Sequence, residues 1–325
     1  MPDLILSVSS TVSFVQMSHE VKEQQQEPCT DGTDTCPQPS AHELDLMLLS
    51  VNLGGSYYFN DWLGVRLTLP LRAVAIDATF IAADESIMDD FVSTHHRDET
   101  LVGLGDLSMS ATTRHAGQFN ASLSWVLATS LGTTLPTGNV VENPEVLGGV
   151  WGLKHQHIFF GRGMPAPIVG FSGSLRTNWG FFEGGLNATL PFLETSSKTY
   201  VSTQEPTEHD GHHHDWDKFE LGEYLAPITV TADFGVGSKF GTEDWSFTAT
   251  AQVQHEEQAK WQGHPQDNTG KTELLAGVRS SLSISESMML DLNIRIPVYL
   301  YTPSVSATIE MPFLLGLGFY FTGDL

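Results

Sequence analysis

In Leu290–Tyr301, LDLNIRIPVYLY, every second residue is aliphatic. Leu290, Leu292, Ile294, Ile296, Val298 and Leu300 take one side; Asp291, Asn293, Arg295 and Tyr299 take the other. Side chains alternate across an extended strand, whereas a helix repeats every 3.6 residues. The stretch is therefore read as a β-strand with one apolar and one polar face. It exceeds the roughly 9–11 residues that a tilted strand needs to cross a bilayer. A soluble β-sandwich also alternates, but its core would not accept charges such as Asp291 and Arg295 unpaired. The apolar face is thus assigned to lipid and the polar face to a lumen.

The same period recurs outward along the chain. In Leu63–Arg72, LGVRLTLPLR, the residues Leu63, Val65, Leu67, Leu69 and Leu71 oppose Arg66, Thr68 and Arg72. Phe119–Leu131, Ile228–Phe240 and Trp245–Gln254 repeat the pattern. Twelve such strands are expected, beginning near Leu4, Leu46, Leu63, Leu101, Phe119, Pro165, Phe181, Leu225, Trp245, Glu273, Met289 and Pro312. Short connections such as Phe59–Trp62 and Arg114–Phe119 alternate with long ones near 18–43, 82–99, 133–156, 193–224, 254–273 and 301–311. Short turns on one side and long loops on the other mark an outer-membrane barrel. Aromatic residues gather at strand ends, as a membrane-interface girdle requires: Tyr57, Tyr58, Phe59, Trp62, Trp179, Phe181, Phe182 and Trp245. The expectation is one all-β domain over 1–325. It is a transmembrane antiparallel up-and-down β-barrel of about 12 strands. Its turns are periplasmic, its long loops extracellular, and it has no plug domain. It lies in the bacterial outer membrane and passes through it many times.

Charged residues are 17% of the chain, yet the net charge is -24. A nucleic-acid partner is excluded, because that needs clustered Lys and Arg. The acidic balance suits cations or basic partners. Cys29 and Cys36 lie in one polar segment, EPCTDGTDTCPQ, and are expected to form a local disulfide in an oxidising compartment. MPDLILSVSS already reads as a strand, so a secretory leader is expected to have preceded Met1 and been removed.

The inward face carries the candidate lumen and selectivity residues Arg66, Arg72, Asp106, Arg176, Glu183, Asp233, Arg279, Asp291 and Arg295. Opposite charges are expected to pair there, with Arg66, Arg72 and Arg295 meeting Asp106 and Asp291. The same ladder can select small solutes. Leu101–Arg114, LVGLGDLSMSATTR, and Ala128–Asn139, ATSLGTTLPTGN, resemble the outer-membrane transporter-like barrels named for the meta-pathway of phenol degradation. The resemblance rests on the Gly-Leu-Gly-Asp and Leu-Pro-Thr-Gly motifs. It implies a barrel that passes hydrophobic or small organic molecules, and it transfers no catalytic residue.

Glu208–Glu220, EHDGHHHDWDKFE, sits inside the longest outer loop. His209, Asp210, His212, His213, His214 and Asp215 are candidate ligands for a weakly held divalent metal (Zn, Cu, Ni or Ca). A solvated loop and an ordered site are the other two readings. Adjacent side chains of an extended run point opposite ways, so three histidines in a row make no site by themselves. The barrel itself requires no cofactor. The partners expected are lipid bilayer and lipopolysaccharide, small solutes or cations, and an extracellular or periplasmic protein. The functional expectation is a channel or transporter for small solutes, hydrophobic or organic ones included. The alternative is a surface cation-binding or adhesion protein anchored by a closed barrel. An enzyme is not expected, since the serines near His255 carry no recognisable motif.

Overall fold

The computed structural model describes residues 4–20, 38–89, 91, 98–138, 160–201, 218–240, 244–261, 263–265, 269–303 and 308–323. In chain order the strands are β1 (Leu4–Glu20), β2 (Ala41–Tyr58), β3 (Leu63–Ile81), β4 (Glu99–Leu104), β5 (Leu107–Asn120) and β6 (Leu123–Leu135). There follow β7 (Ala166–Thr177), β8 (Phe181–Thr189), β9 (Thr195–Val201), β10 (Lys218–Leu225), β11 (Thr229–Phe240) and β12 (Trp245–Glu256). The last are β13 (Lys260–Trp261), β14 (His264–Pro265), β15 (Lys271–Ser285), β16 (Met288–Tyr301), β17 (Thr308–Glu310) and β18 (Leu314–Gly323). β4 with β5, and β17 with β18, each make one interrupted wall strand, so the described residues build a closed antiparallel barrel of twelve. β1 closes it, pairing with β2 from Leu4↔Tyr57 to Glu20↔Ala41 and with β18 from Leu4↔Gly323 to Ser13↔Leu314. Closure removes every sheet edge from the lipid, where an unpaired backbone group has no water to turn to. A second, four-stranded sheet of β9, β10, β13 and β14 stands in the long loops.

The register fixes which face is which. Leu131 is 67% exposed and Val278 54%, and both stand on the outward side with Leu6, Val8, Leu53, Leu67 and Ile294. Such a band would be a liability in water and is the requirement in lipid. On β1 and β2 it runs from Leu4 and Tyr57 to Phe14 and Met47. It stops at the next outward pair, where Gln16 Nε2 donates to Asp45 Oδ1 at 2.8 Å. These eleven residues match an apolar band of about 25 Å. Aromatic rings mark both borders. Tyr57 packs edge-on against Phe59 at 5.4 Å and Trp179 against Phe182 at 5.5 Å near the short turns. Phe14 meets Phe313 at 5.7 Å near the long loops.

Three local expectations are corrected. Arg114–Phe119 is no turn: β5 continues to Asn120, whose Oδ1 accepts from the backbone N and the Oγ of Ser122 and so makes the turn two residues later. The loops near 193–224 and 254–273 hold strands of their own. Tyr299 is not lumenal. Leu275 pairs with Pro297 and Leu274 with Tyr299, so Val298 is a bulge. That extra residue inverts the alternation: Tyr299 and Tyr301 turn out to the interface, and Leu300 turns in opposite Glu273.

Candidate functional site: the lumen and its outer rim

The register carries Arg66, Arg72, Arg176, Glu183, Asp233, Arg279, Asp291 and Arg295 to the inward face, as the alternation implies. Their partners differ from those expected. Arg279 Nη2 bonds Glu183 Oε1 at 2.5 Å across β8 and β15, and both side chains are about 30% exposed. Arg295 Nη1 donates to Gln252 Oε1 at 2.5 Å, Arg66 Nε to Ser56 Oγ at 3.2 Å, and Arg72 Nη1 to Asn52 Oδ1 at 3.4 Å. Among the described residues none of these last three reaches a carboxylate, so the expected pairs with Asp106 and Asp291 do not form. The reason is sequence distance. β2 lies beside β3, and its inward side chains within reach of Arg66 and Arg72 are the neutral Ser56 and Asn52.

The large lumenal side chains lie against small ones. A Cβ on Gly235 would stand 2.8 Å from Glu183 Oε1, and one on Gly277 2.8 Å from Arg295 Cγ. Glycine at these positions lets the charged chains lie flat along the wall instead of filling the bore. Arg66, Arg176, Asp233, Ser172 and Asn187 remain exposed on the inward face, so the lumen there is reached by water. Asp291 is only 7% exposed, and its Oδ1 has no hydrogen-bond partner among the described residues. It stands opposite Gly318.

Asp106 has a different task. It sits where the wall strand breaks between β4 and β5. There its Oδ1 accepts from the amide of Gly138 at 3.1 Å and its Oδ2 from the amide of Arg162 at 2.8 Å. Thr137 Oγ1 donates to the carbonyl of Gly105 at 2.9 Å and accepts from the amide of Leu107 at 2.8 Å. The Gly-Leu-Gly-Asp and Leu-Pro-Thr-Gly segments thus meet in one knot at the outer rim. A Cβ on Gly138 would stand 2.8 Å from the Leu104 carbonyl oxygen, and one on Gly161 2.6 Å from Asp106 Oδ1. Only glycine fits these close approaches. No sequence signal pointed to the Phe160–Gly163 segment as the third party.

Next to the knot, Arg162 Nη2 donates to Thr229 Oγ1 at 3.4 Å, and Lys271 Nζ pairs with Glu273 Oε2 at 3.2 Å. Tyr224, Ala226 and Ala259 form a small buried cluster beneath the outer sheet. Burial, then the charge of Glu256, raises the Tyr224 phenol above its usual value. His255 shares a 2.8 Å hydrogen bond with Thr272 Oγ1, so the ring faces a threonine and not a serine. Cys29 and Cys36, and His209, Asp210, His212, His213, His214 and Asp215, lie outside the described residues. Among the described residues no group of three metal-ligating side chains occurs.

No family model and no curated protein matches this sequence, so the family resemblance stays at its two motif segments. Solved structures do match. An outer membrane channel from Pseudomonas putida F1 superposes with a TM-score of 0.53 at 13% identity, over 96% of this chain and 94% of that one. The P. putida toluene transporter TodX gives 0.40 at 7% identity, over 100% and 90%. The translocator domain of the autotransporter NalP from Neisseria meningitidis gives 0.38 at 9% identity, over 98% and 88%. The first of these shares the fold, and scores as low as the other two carry no argument. The protein is a closed twelve-stranded barrel of the bacterial outer membrane, with the fold of that Pseudomonas channel.

Proposed function

We propose that the barrel is a passive channel for small solutes, with a preference for anions. One observation carries the reading: exposed charged side chains line a bore whose walls are glycine, serine and threonine. A barrel serving only as an anchor gains nothing from glycines that hold Glu183 and Arg295 against the wall. The sign of the preference follows from Asp106. Its carboxylate is committed to two amides at the rim. Away from the long-loop rim, that leaves Arg66, Arg72, Arg176, Arg279 and Arg295 facing the smaller set Glu183, Asp233 and Asp291, while the inward Glu256 and Glu273 stand beside Lys271 at the strand ends. Charged rings lining a pore select by sign. The fold shared with a known outer membrane channel is consistent with this.

Purified barrel in planar bilayers should give discrete conductance steps, and a KCl gradient should give a reversal potential of the sign for chloride. A flat trace would favour the closed anchor with adhesive or cation-binding loops. Steps with a potassium-selective reversal at 1 M salt would retain the channel and refute the anion preference.

A further inference from the structure

At the periplasmic end β5 runs on below the strand that covers it. Its last pair with β3 is Leu63↔Thr113, yet it continues to Asn120, seven residues further. At the other short turns, among the described residues, the overhang is three residues or fewer: Gly237 to Phe240 on β11, Leu282 to Ser285 on β15 and Phe321 to Gly323 on β18. The amide of Arg114 still donates to the Trp62 carbonyl at 2.9 Å. Below it the turn between β2 and β3 bends away toward the lumen, where the Asp61 carbonyl accepts from the inward Arg114 Nε at 3.1 Å. Successive backbone amides of a strand point to opposite sides. Those of Ala116 and Gln118 therefore point the way that of Arg114 does, into the space that β3 has left. His115 and Gly117 point instead to β6, opposite Leu127 and Trp125. Ala116 and Gln118 are both exposed, so among the described residues no segment covers this edge.

An open edge pairs readily, and proteins blunt one with lysine, proline or inward-pointing charge. His115–Asn120, HAGQFN, carries none of these. The slot has two unlike faces. On the outward one Trp125 lies over Gly117, where a Cβ would stand 2.8 Å from its Cζ2, and Phe119 packs beside it at 6.3 Å. Phe119 is 68% exposed. An incoming strand would lay its outward side chains on this aromatic shelf and so gains from apolar ones. On the inward face it would meet only Ala116 and Gln118. Asp61 stands exposed at the upper end, the one formal charge among residues 59–62 and 115–122. Antiparallel pairing with β5 runs the incoming strand upward, which brings its C-terminal end to Asp61 and favours Lys or Arg there. A second copy does not fit: strands tilt by roughly 35–45°, so those of two facing barrels in one membrane cross at about twice that angle.

We propose that the free edge of β5 is a docking site for a periplasmic protein, which adds an extended segment as a strand beneath β3. The segment alternates apolar and small polar residues over about five positions and ends in a basic one. This docking does not depend on solute passage.

The test uses the full-length barrel in lipid nanodiscs and a synthetic fluorescent peptide of alternating leucine and threonine that ends in arginine. In the free barrel, hydrogen exchange should be fast at Ala116 and Gln118 and slow at His115 and Gly117. The peptide should raise anisotropy and slow exchange at Ala116 and Gln118 by about tenfold or more. Ala116→Pro combined with Gln118→Pro should lower affinity by about tenfold or more and still fold, because proline is tolerated where the amide faces away from the ladder. Heat-modifiable migration verifies that folding. Asp61→Asn should weaken binding about threefold, as loss of one exposed ion pair implies. Equal binding by the double-proline variant, or of a peptide with the same residues in block order, overturns strand addition. So does a peptide that leaves anisotropy unchanged. Exchange at Ala116 and Gln118 as slow as at Gly117 in the free barrel would mean an edge already covered; that overturns the docking site without any peptide, whether or not the proline variant folds. Dimerisation that slows these two amides as barrel concentration rises would give the edge to a second copy and overturn the periplasmic partner.

Discussion

Asp106 shows how much one side chain can hold at a rim. Its two oxygens satisfy the amides of Gly138 and Arg162, which belong to two different outer segments. Hydrogen bonds to a charged acceptor contribute more than neutral ones, about 1.5–3 kcal/mol each. Asp106→Ala should therefore lower barrel stability by roughly 2–4 kcal/mol, and Asp106→Asn, which retains one acceptor oxygen, by about half as much. Denaturant midpoints in lipid vesicles measure both; equal loss for the two variants would mean that charge, not acceptor count, holds the knot. Gly138→Ala should be at least as harmful as Asp106→Asn, because its Cβ meets backbone rather than a side chain that can swing away. The sequence marked Asp106 as notable but misjudged its role. Its partners are 32 and 56 residues away, and alternation along one strand reports a side chain's face, never what lies opposite it in space. The inward set Arg66, Arg72, Glu183, Asp233, Arg279 and Arg295 was legible for the same reason: facing is a local property.

At the scale of the elements, the strands were readable and their irregularities were not. Period-two alternation survives in every wall strand, since each must show lipid on one side and the lumen on the other. A bulge adds one residue and leaves no compositional trace, so it inverts the reading of everything beyond it. That is why Tyr299 was placed inside and Leu300 outside. Prolines mark these sites after the fact. Pro70 stands beside the β4–β5 break, where its carbonyl accepts from Gly105 at 2.8 Å; Pro297 adjoins the Val298 bulge; Pro312 lies between β17 and β18. A residue without an amide hydrogen is tolerated where the ladder is already interrupted. The inversion is testable by labelling. In barrels reconstituted in bilayers, Leu300→Cys should react with a charged, water-soluble maleimide through the lumen, and Tyr299→Cys should react more slowly from the lipid interface. The opposite order would restore the unbroken alternation and remove the bulge. The strands in the loops near 193–224 and 254–273 were equally hidden, because β13 and β14 are two residues each and β9, TSSKTYV, is almost wholly polar and shows no apolar alternation.

At the scale of the whole molecule, two fields of opposite sign act in series. The chain carries a net charge of -24, and most of its 39 acidic residues fall in the stretches that the sequence assigns to the long connections. Away from the long-loop rim, the lumen carries more arginine than carboxylate. Screening separates the two: the Debye length is about 3 Å at 1 M salt and about 30 Å at 0.01 M. Exposed loop charges lose their reach at high salt, while half-buried charges such as Arg279 are screened less. At 1 M KCl the lumen should decide, and chloride should be preferred. At 0.01 M the acidic mouth should repel anions before they reach the bore, so the chloride preference should fall several-fold and can reverse. Arg66→Ala combined with Arg72→Ala should lower the preference at both salt concentrations, because these side chains act inside the bore and have no carboxylate partner to release. Neutralising Asp84, Glu85 and Asp89 in the connection after β3 should alter only the low-salt value. Reversal potentials across matched gradients read each protein at both salt concentrations. A preference that ignores ionic strength would place the selective charges wholly within the lumen and strip the acidic loops of any part in it.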